Sequence, residues 1–282
     1  MISTIDGLRT RLAEARAAAP DGARVALIST IGALHDGHID LVHRAREVAD
    51  IVVVSDFVNP LRFTSVAEFE AYPRTPEDDE RLLASLGVDV VFAPETAELL
   101  PQGGSTTKVS AGDLGLRYEG RSRPFYFDGL LTVEAKLFHL VKPDVALYGE
   151  RDRQRIFLVQ RMIRDLYFDV EVATVETVRR DDGLPVSTRV GMLEDRDLAA
   201  AAKLPAALDA AASNGDRGVD ACIAAAQSSL MGEPRIRLEY LSVVDPASFL
   251  PVDEGHRGPA LALIAATVAG HRFIDNAEIY IG

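Results

Sequence analysis

The chain is poor in cysteine, has no tryptophan and has no long hydrophobic run. Its single cysteine, Cys222, cannot form an internal disulfide, so we exclude a disulfide-stabilised secreted fold and expect a cytoplasmic protein. Because Cys222 lies in an Ala-rich stretch, we predict a small buried side chain rather than a nucleophile. The apolar run at residues 260–269 is too short to span a bilayer, so we predict no membrane association.

Positive charge is also scarce, because 30 Lys and Arg residues stand against 43 Asp and Glu residues, a formal net charge of −13. An acidic surface repels polyanions, which argues against nucleic acid and membrane surfaces as general partners. Any phosphate-binding site must therefore be a local exception to the overall field. The length of 282 residues fits one large domain or two smaller ones.

Apolar strands alternate with amphipathic helices over the first two-thirds of the sequence. Strands that are apolar throughout and separated by helices are typical of a parallel sheet covered on both faces. We therefore predict a Rossmann-like, doubly wound α/β domain that binds its ligand beyond the carboxyl ends of the strands. The predicted strands are 25–29, 51–57, 88–92, 145–148 and 170–175, and the predicted helices are 8–19, 39–49, 74–86, 130–140 and 154–166.

The alternation ends at a turn formed by residues 180–183. We predict a nucleotide-binding domain at 1–178 and a smaller C-terminal α+β lid domain at 179–282. A Gly-rich loop at 102–105 is predicted to be mobile. In the second domain, helices are predicted at 198–212 and 219–230, and strands at 236–244, 260–268 and 273–281.

The most informative motif is the pair His35 and His38, which follows the first strand in the stretch STIGALHDGH. A strand that turns directly into a helix presents backbone N–H groups to an anion, and two imidazoles add donors to the same anion. This context favours a nucleotide phosphate site, although the same spacing also fits a solvated helix start. Zinc is disfavoured because no HExxH or CxxC accompanies the pair.

Further motifs follow in a fixed order along the chain. Together with the histidine pair, they resemble the pantothenate synthetase family of the HxGH nucleotidyltransferases, over nearly the whole sequence. These motifs are FVNPLRF at 57–63, YPRT at 72–75, EGRSRP at 119–124, KPD at 142–144, GERDRQR at 149–155 and DGLPVSTR at 182–189.

The resemblance implies an ATP- and Mg²⁺-dependent ligase that joins pantoate to β-alanine through a pantoyl-adenylate, and it implies a homodimer. In that reaction a carboxylate attacks an α-phosphate that is also negative, so the catalysis required is positioning and electrostatic stabilisation. Small carboxylic acid and amine substrates are therefore the expected partners. The resemblance also implies that His38 is the acid proposed for the family, that Asp152 accepts hydrogen bonds from the ribose hydroxyls, and that Val178 presents its backbone to adenine.

The resemblance also assigns site residues. For catalysis these are His35, His38, Arg151, Ser187, Thr188 and Arg189. For ATP binding they are Ile31, Gly32, His35, Gly37, His38, Gly149, Arg151, Asp152, Val178, Val186, Ser187, Thr188 and Arg189. For acid binding they are Asn59, Arg62, Tyr72, Glu119, Arg123, Tyr126, Gln154 and Arg155. Asp78 and Asp79 fall where the family is expected to hold magnesium, but acids in a helix's first turn are equally well explained by the helix dipole.

The acid pocket departs from the family pattern. Two glutamines that read the acid's oxygens have become Arg62 and Arg155, a tyrosine has become Arg153, and a histidine has become Tyr126. A buried arginine needs a counter-anion, since an uncompensated buried ion costs several kcal/mol. Asp56 and Asp128, which also differ from the family pattern, are candidate internal partners.

The leading hypothesis assigns the counter-anion to the substrate instead. It predicts a ligase for a more anionic acid, with a second carboxylate or a phosphate, in a specialised biosynthesis. Three alternatives stay open: pantothenate synthesis itself, transfer of a nucleotide to a phosphate-bearing acceptor, and a binding protein that has lost turnover.

Overall fold

The computed structural model describes residues 1–63, 65–101 and 107–282, so the predicted Gly-rich loop at 102–105 lies outside the described residues. The chain divides into two compact units. The first contains Met1–Glu150 and Arg155–Glu176, and the second contains Arg151–Gln154 and Thr177–Gly282.

The first unit is built on a five-stranded sheet in the order β3-β2-β1-β4-β5, in which every neighbouring pair is parallel. This confirms the predicted doubly wound α/β fold. Because β1 lies between β2 and β4, the segments that follow these three strands leave the sheet at adjacent positions on one edge. The strands are β1 (Val25–Thr30), β2 (Ile51–Asp56), β3 (Val90–Phe92), β4 (Val145–Gly149) and β5 (Glu171–Val175).

Eight α-helices lie within the described part of residues 1–176. All five helices predicted there form, with ends displaced by a few residues, and three short helices were not predicted. They are α1 (Ile5–Ala18), α2 (Asp36–Val48), α3 (Val66–Ala71), α4 (Pro76–Ser85), α5 (Thr96–Leu99), α6 (Glu119–Ser122), α7 (Tyr126–Val141) and α8 (Arg153–Asp165).

Two apolar clusters cover the two faces of this sheet. Alternate residues of β1 point to opposite faces, so Leu27 joins the cluster that includes Leu131 of α7, while Ile28 joins the cluster that includes Val42 of α2. Helix α7 is apolar around most of its circumference and is buried along most of its length. A charged residue within it, Glu134, is therefore unusual and requires a partner.

The second unit packs helices against an antiparallel sheet in the order β6-β7-β8. The prediction of a single helix at 198–212 is wrong, because this segment forms two helices that meet at Ala202. Pro205 has no N–H to donate to the carbonyl of Ala201, which favours the break. The elements are α9 (Asp195–Ala201), α10 (Lys203–Ala212), α11 (Val219–Leu230), β6 (Ile236–Val244), β7 (Gly258–Val268) and β8 (His271–Ile281).

Buried apolar side chains of α10, α11 and the sheet form the core of this unit, and Cys222 is fully buried among them, as expected. Burial raises the pKa of the Cys222 thiol, which disfavours the reactive thiolate. In the described ranges, none of the helices combines the length and the apolar character that crossing a membrane requires.

Candidate active site

The turn between β1 and α2 has an unusual backbone. Gly32 and Ala33 are consecutive residues with positive φ, +74° and +51°. The N–H groups of Ala33 and Leu34 both point at the carboxylate of Asp79, at 2.9 Å each, and the Thr75 hydroxyl donates to the same carboxylate at 3.1 Å. The expectation that this turn offers its backbone donors to a phosphate is therefore corrected, because Asp79 accepts both bonds.

The two histidines cap the helix that follows. His35 is the N-cap residue of α2, and its Nδ1 accepts from the Gly37 N–H at 3.2 Å. The Nδ1 of His38 accepts in turn from the His35 N–H at 3.2 Å, and the two ring centroids lie 4.2 Å apart. Since Nδ1 accepts in both rings, a neutral imidazole carries its proton on Nε2. Each histidine therefore has an Nε2–H group as its donor.

A second carboxylate lies beside the same turn. A Cβ added to Gly32 would lie 2.9 Å from Asp56 Oδ1 and 3.4 Å from Asp79 Oδ2, so only glycine fits between the two acids. Burial, assisted by the Asp79 carboxylate and opposed by a hydrogen bond with Thr30, raises the pKa of Asp56 to about 6. Asp56 therefore takes up a proton more readily than an ordinary aspartate does.

Arg62 lies in the short 3₁₀ turn that follows β2, where Asn59 is the N-cap residue. Arg62 donates from Nη2 to the Tyr126 hydroxyl at 2.9 Å, and its buried Nε has no hydrogen-bond partner among the described residues. The guanidinium of Arg123 lies 4.0 Å from the centroid of the Tyr126 ring and donates to the carbonyl of Arg62. Three of the predicted acid-binding side chains are thus brought together, with Arg62 and Arg123 both in contact with Tyr126.

Arg155 is held by a different set of groups. Its Nη2 lies 2.5 Å from Glu134 Oε1 and 2.7 Å from Ser29 Oγ, and its guanidinium lies over the ring of Tyr148. The side chain of Glu134 is 3% exposed and that of Arg155 is 16% exposed. Burial would lower the pKa of Arg155, but the Glu134 carboxylate leaves it raised, so the guanidinium stays charged.

The counter-ion of Arg155 is therefore Glu134, which the sequence reasoning missed. Asp128 accepts from the Ala111 N–H at 2.8 Å, and Asp56 lies beside Gly32, so both candidate partners were wrong for Arg155. A charged residue at position 134 within the apolar run of α7 was the available signal.

The remaining predicted residues of the acid site are mostly buried. Asn59 is 3% exposed; its amide donates to the Gly129 carbonyl at 3.2 Å and its carbonyl accepts from the Leu61 N–H at 3.0 Å. Tyr72 makes a long hydrogen bond, 3.4 Å, to the Gly32 carbonyl. Glu119 is 3% exposed and Gln154 is 4% exposed.

Several predicted nucleotide-binding residues belong to the second unit. Arg151 donates to the Val186 carbonyl at 3.1 Å, and the Val186 N–H donates to the Val178 carbonyl at 2.9 Å. The Asn276 amide, on β8, donates to the Arg151 carbonyl at 3.0 Å. These bonds tie together the segments that carry Arg151, Val178 and Val186, next to Ser187, Thr188 and Arg189. Arg153 is paired with Glu278, a partner that was not foreseen for this replacement.

A buried ion pair supports the same region of the second unit. Arg179 donates to both oxygens of Asp275, at 2.7 and 2.9 Å, and also to the Gly183 carbonyl at 2.9 Å. Burial raises the pKa of Asp275 and the Arg179 guanidinium opposes that rise. No local pattern in the sequence connects β8 with the 178–189 segment, so the supporting role of Asp275 and Asn276 was also missed.

The predicted magnesium pair does not form a shared site. Asp79 is 3% exposed and turned to the backbone of Ala33 and Leu34, whereas Asp78 is exposed and paired with Arg81. Over residues 1–63, 65–101 and 107–282, no group of three or more His, Cys, Asp or Glu side chains is arranged to hold a metal ion.

Comparison with known proteins assigns nearly the whole chain to one family. Residues 1–278 match the family model described as pantoate-beta-alanine ligase. This chain belongs to the pantoate-beta-alanine ligase family. The family forms an amide bond at the expense of ATP and releases AMP and pyrophosphate, so this member is an ATP-dependent carboxylate–amine ligase.

Similar proteins support the assignment. The pantothenate synthetase of Leifsonia xyli subsp. xyli is 48% identical over 271 residues, which cover 96% of this chain and 94% of the relative. The crystal structure of pantothenate synthetase from Thermus thermophilus superposes with a TM-score of 0.90 at 40% identity, over 99% of both chains. A pantoate-beta-alanine ligase from Francisella tularensis, solved with beta-gamma ATP and beta-alanine, gives a TM-score of 0.79 at 28% identity, over 98% of this chain and 97% of the other.

These findings do not support the leading hypothesis of a changed, more anionic acid. They favour the alternative of pantothenate synthesis, and the structure shows that Arg155 already has a counter-ion within the protein, Glu134.

Proposed function

We propose that this ligase joins pantoate to β-alanine with ATP, through a pantoyl-adenylate. The observation that carries the proposal is the ion pair between Arg155 and Glu134, with an N···O distance of 2.5 Å. The charge that Arg155 adds to the acid pocket is cancelled within the protein. An acid with a single carboxylate, such as pantoate, therefore needs no second negative charge to satisfy it.

Arg62 is the guanidinium we assign to the acid's carboxylate. Its Nη2 is held by the Tyr126 hydroxyl, and its Nε lacks a hydrogen-bond partner among the described residues, so a donor remains for an incoming oxygen. The acid-binding residues that we propose from the family resemblance also include Asn59, Tyr72, Glu119, Arg123 and Gln154. A charge-assisted bond to a carboxylate is roughly twice as strong as a neutral one, which suits recognition of a small, flexible acid.

The Nε2–H groups of His35 and His38 are the donors we assign to the ATP phosphates. Both rings are fixed through Nδ1 as helix caps, so their outer donors are oriented before ATP binds. The nucleotide-binding residues that we propose from the family resemblance also include Ile31, Gly32, Gly37, Gly149, Asp152, Val178 and Val186. Arg151, Ser187, Thr188 and Arg189 neutralise the charge that develops on the departing pyrophosphate.

We propose that Mg²⁺ binds together with the ATP phosphates. Because the described carboxylates form no three-ligand group, we assign no protein residue to the metal. From the family resemblance we also propose a homodimer in the cytoplasm. Light scattering coupled to gel filtration measures the oligomeric state directly.

The decisive experiment measures pyrophosphate release with ATP, Mg²⁺ and one acid at a time. Pantoate should support release, and β-alanine should then convert the adenylate to an amide and AMP. Release with a dicarboxylic or phosphorylated acid and none with pantoate would overturn the proposal. A stable nucleotidyl product that no amine discharges would indicate a nucleotidyltransferase instead.

A matched pair of variants tests the histidine assignment. His38→Ala should lower kcat/KM for ATP by about 100-fold or more, since it removes a donor to the reacting phosphates. His43→Ala is the control, because His43 is exposed on the same helix. Equal activity of both variants would contradict the role given to His38.

A further inference from the structure

The backbone turn before His35 already binds an anion that the protein itself supplies. Gly32 and Ala33 both have positive φ, so the N–H groups of Ala33 and Leu34 converge, a concavity that ordinarily binds an anion. Here the occupant is Asp79, which accepts one N–H on each carboxylate oxygen at 2.9 Å. Alanine in the left-handed region is strained, and such strain persists only where surrounding contacts enforce it.

Asp79 is itself firmly held. It lies in the first turns of α4, its side chain is buried, and it takes a third hydrogen bond from the Thr75 hydroxyl at 3.1 Å. Its own N–H donates to the Thr75 carbonyl at 2.9 Å. The carboxylate thus fastens the start of α4 to the turn after β1, two elements that are distant in sequence.

We propose that Asp79 is a positioning residue for the reaction, which acts through the turn to set the two imidazoles and does not bind metal. The turn leads directly into His35, and the caps formed by His35 and His38 depend on where the chain enters α2. The inference rests on the proposed function only where it takes ATP as the ligand of these histidines.

A metal-binding role is the competing explanation for Asp79. Both of its oxygens already accept backbone N–H bonds, and its sequence neighbour Asp78 is exposed and paired with Arg81. Asp56 is the other acid beside Gly32, yet the described residues supply no third His, Cys, Asp or Glu to complete a metal site there. The geometry therefore favours backbone positioning.

The test compares Asp79→Asn with Glu77→Gln. The first keeps the shape of the side chain but turns an amide NH₂ toward one of the two N–H donors, so one bond is lost. The second removes a charge from the same helical turn at an exposed side chain. We expect Asp79→Asn to raise KM for ATP by about tenfold, with KM for the acid within about twofold, and Glu77→Gln to match the wild type.

Magnesium dependence separates the two roles. If Asp79 positions the turn, the Mg²⁺ concentration for half-maximal rate at saturating ATP stays unchanged in Asp79→Asn. If Asp79 binds the metal, that concentration rises and Mn²⁺ restores part of the activity. The second result would overturn the proposal.

A spectroscopic readout needs no turnover. Long-range ¹H–¹⁵N correlation spectra of the histidine rings should show Nε2–H tautomers for His35 and His38 in the wild type and a mixture of tautomers in Asp79→Asn. Unchanged ring signals would overturn the proposal even if activity fell. Fixed tautomers with no ATP binding to the wild type would instead count against the proposed function.

Thr75→Val is the milder variant if Asp79→Asn does not fold. It removes only the third hydrogen bond to the carboxylate, so the same changes should appear in the same direction with smaller size. Asp79 would serve stability alone if Asp79→Asn were unfolded while a folded Thr75→Val protein kept the wild-type KM for ATP and the wild-type ring signals.

Discussion

Arg155 and Glu134 form a buried ion pair, with Nη2 and Oε1 2.5 Å apart and the carboxylate 3% exposed. Ser29 Oγ donates to the same Glu134 oxygen at 2.7 Å, and the Tyr148 hydroxyl donates to the other at 3.3 Å. Burial and the Glu134 carboxylate raise the pKa of Tyr148 well above its ordinary value, so this phenol stays protonated as a donor. Each member of the network has a partner.

Removal of the carboxylate should destabilise the fold strongly. Glu134→Gln leaves the Arg155 charge buried without its anion, and the expected loss in the free energy of unfolding is about 3–5 kcal/mol. Urea denaturation measures it. The control is Glu47→Gln, which breaks an exposed pair with Arg44 and should cost no more than about 1 kcal/mol. Equal losses in the two variants would contradict a buried, mutually dependent pair.

The same substitution should change the choice of acid. With Glu134 neutralised, the positive charge of Arg155 is no longer balanced by that carboxylate, so kcat/KM for dicarboxylic acids should rise relative to pantoate. Arg155→Gln, which removes the cation instead, should show no such shift. Competition among a panel of acids, scored by pyrophosphate release at a temperature where all variants are folded, measures the ratio. An unchanged ratio in Glu134→Gln would mean that Arg155 does not face the acid.

Stability should depend on pH through Asp56. Its pKa rises from 3.8 to about 6 on folding, so the folded state binds the proton more tightly than the unfolded state. The stability that this proton confers is present below the unfolded pKa and is lost as pH rises through about 6. Asp56→Asn should therefore stabilise the protein increasingly between about pH 4 and pH 6, by up to about 3 kcal/mol at higher pH.

Denaturation at several pH values checks this expectation. Asp40→Asn is the control, because Asp40 is an exposed acid on α2. If Asp56→Asn shifted stability equally at every pH, the burial of a charged Asp56 beside Asp79 would not be its cause.

Gly129 should not tolerate a side chain. A Cβ at this position would lie 2.4 Å from the Leu61 Cβ and 3.1 Å from the Leu61 carbonyl oxygen, so Gly129→Ala must displace the turn that carries Arg62. We expect a loss of about 1–3 kcal/mol and a raised KM for the acid, with KM for ATP little changed. Gly191→Ala, with open space around the added Cβ, is the stability control.

Much of the fold was readable from local pattern. The five strands of the first unit and the helices between them follow from uninterrupted apolar runs and amphipathic spacing, because burial on both faces of a parallel sheet imposes that pattern. The failures have local causes. Pro205 favours a break at Ala202 between two helices, and helices of four to six residues, such as Thr96–Leu99 and Val66–Ala71, are too short to show a helical period.

By itself, the sequence determined the α/β class, the family motifs and the pair of histidines after β1. Only the tertiary structure decided what those residues contact. It paired Arg155 with Glu134 from another helix, and it brought Asp79 into hydrogen bonds with the turn before His35. The reason is physical: strand and helix periods are local, whereas the partner of a buried charge is chosen by distance in space, which sequence separation does not reveal.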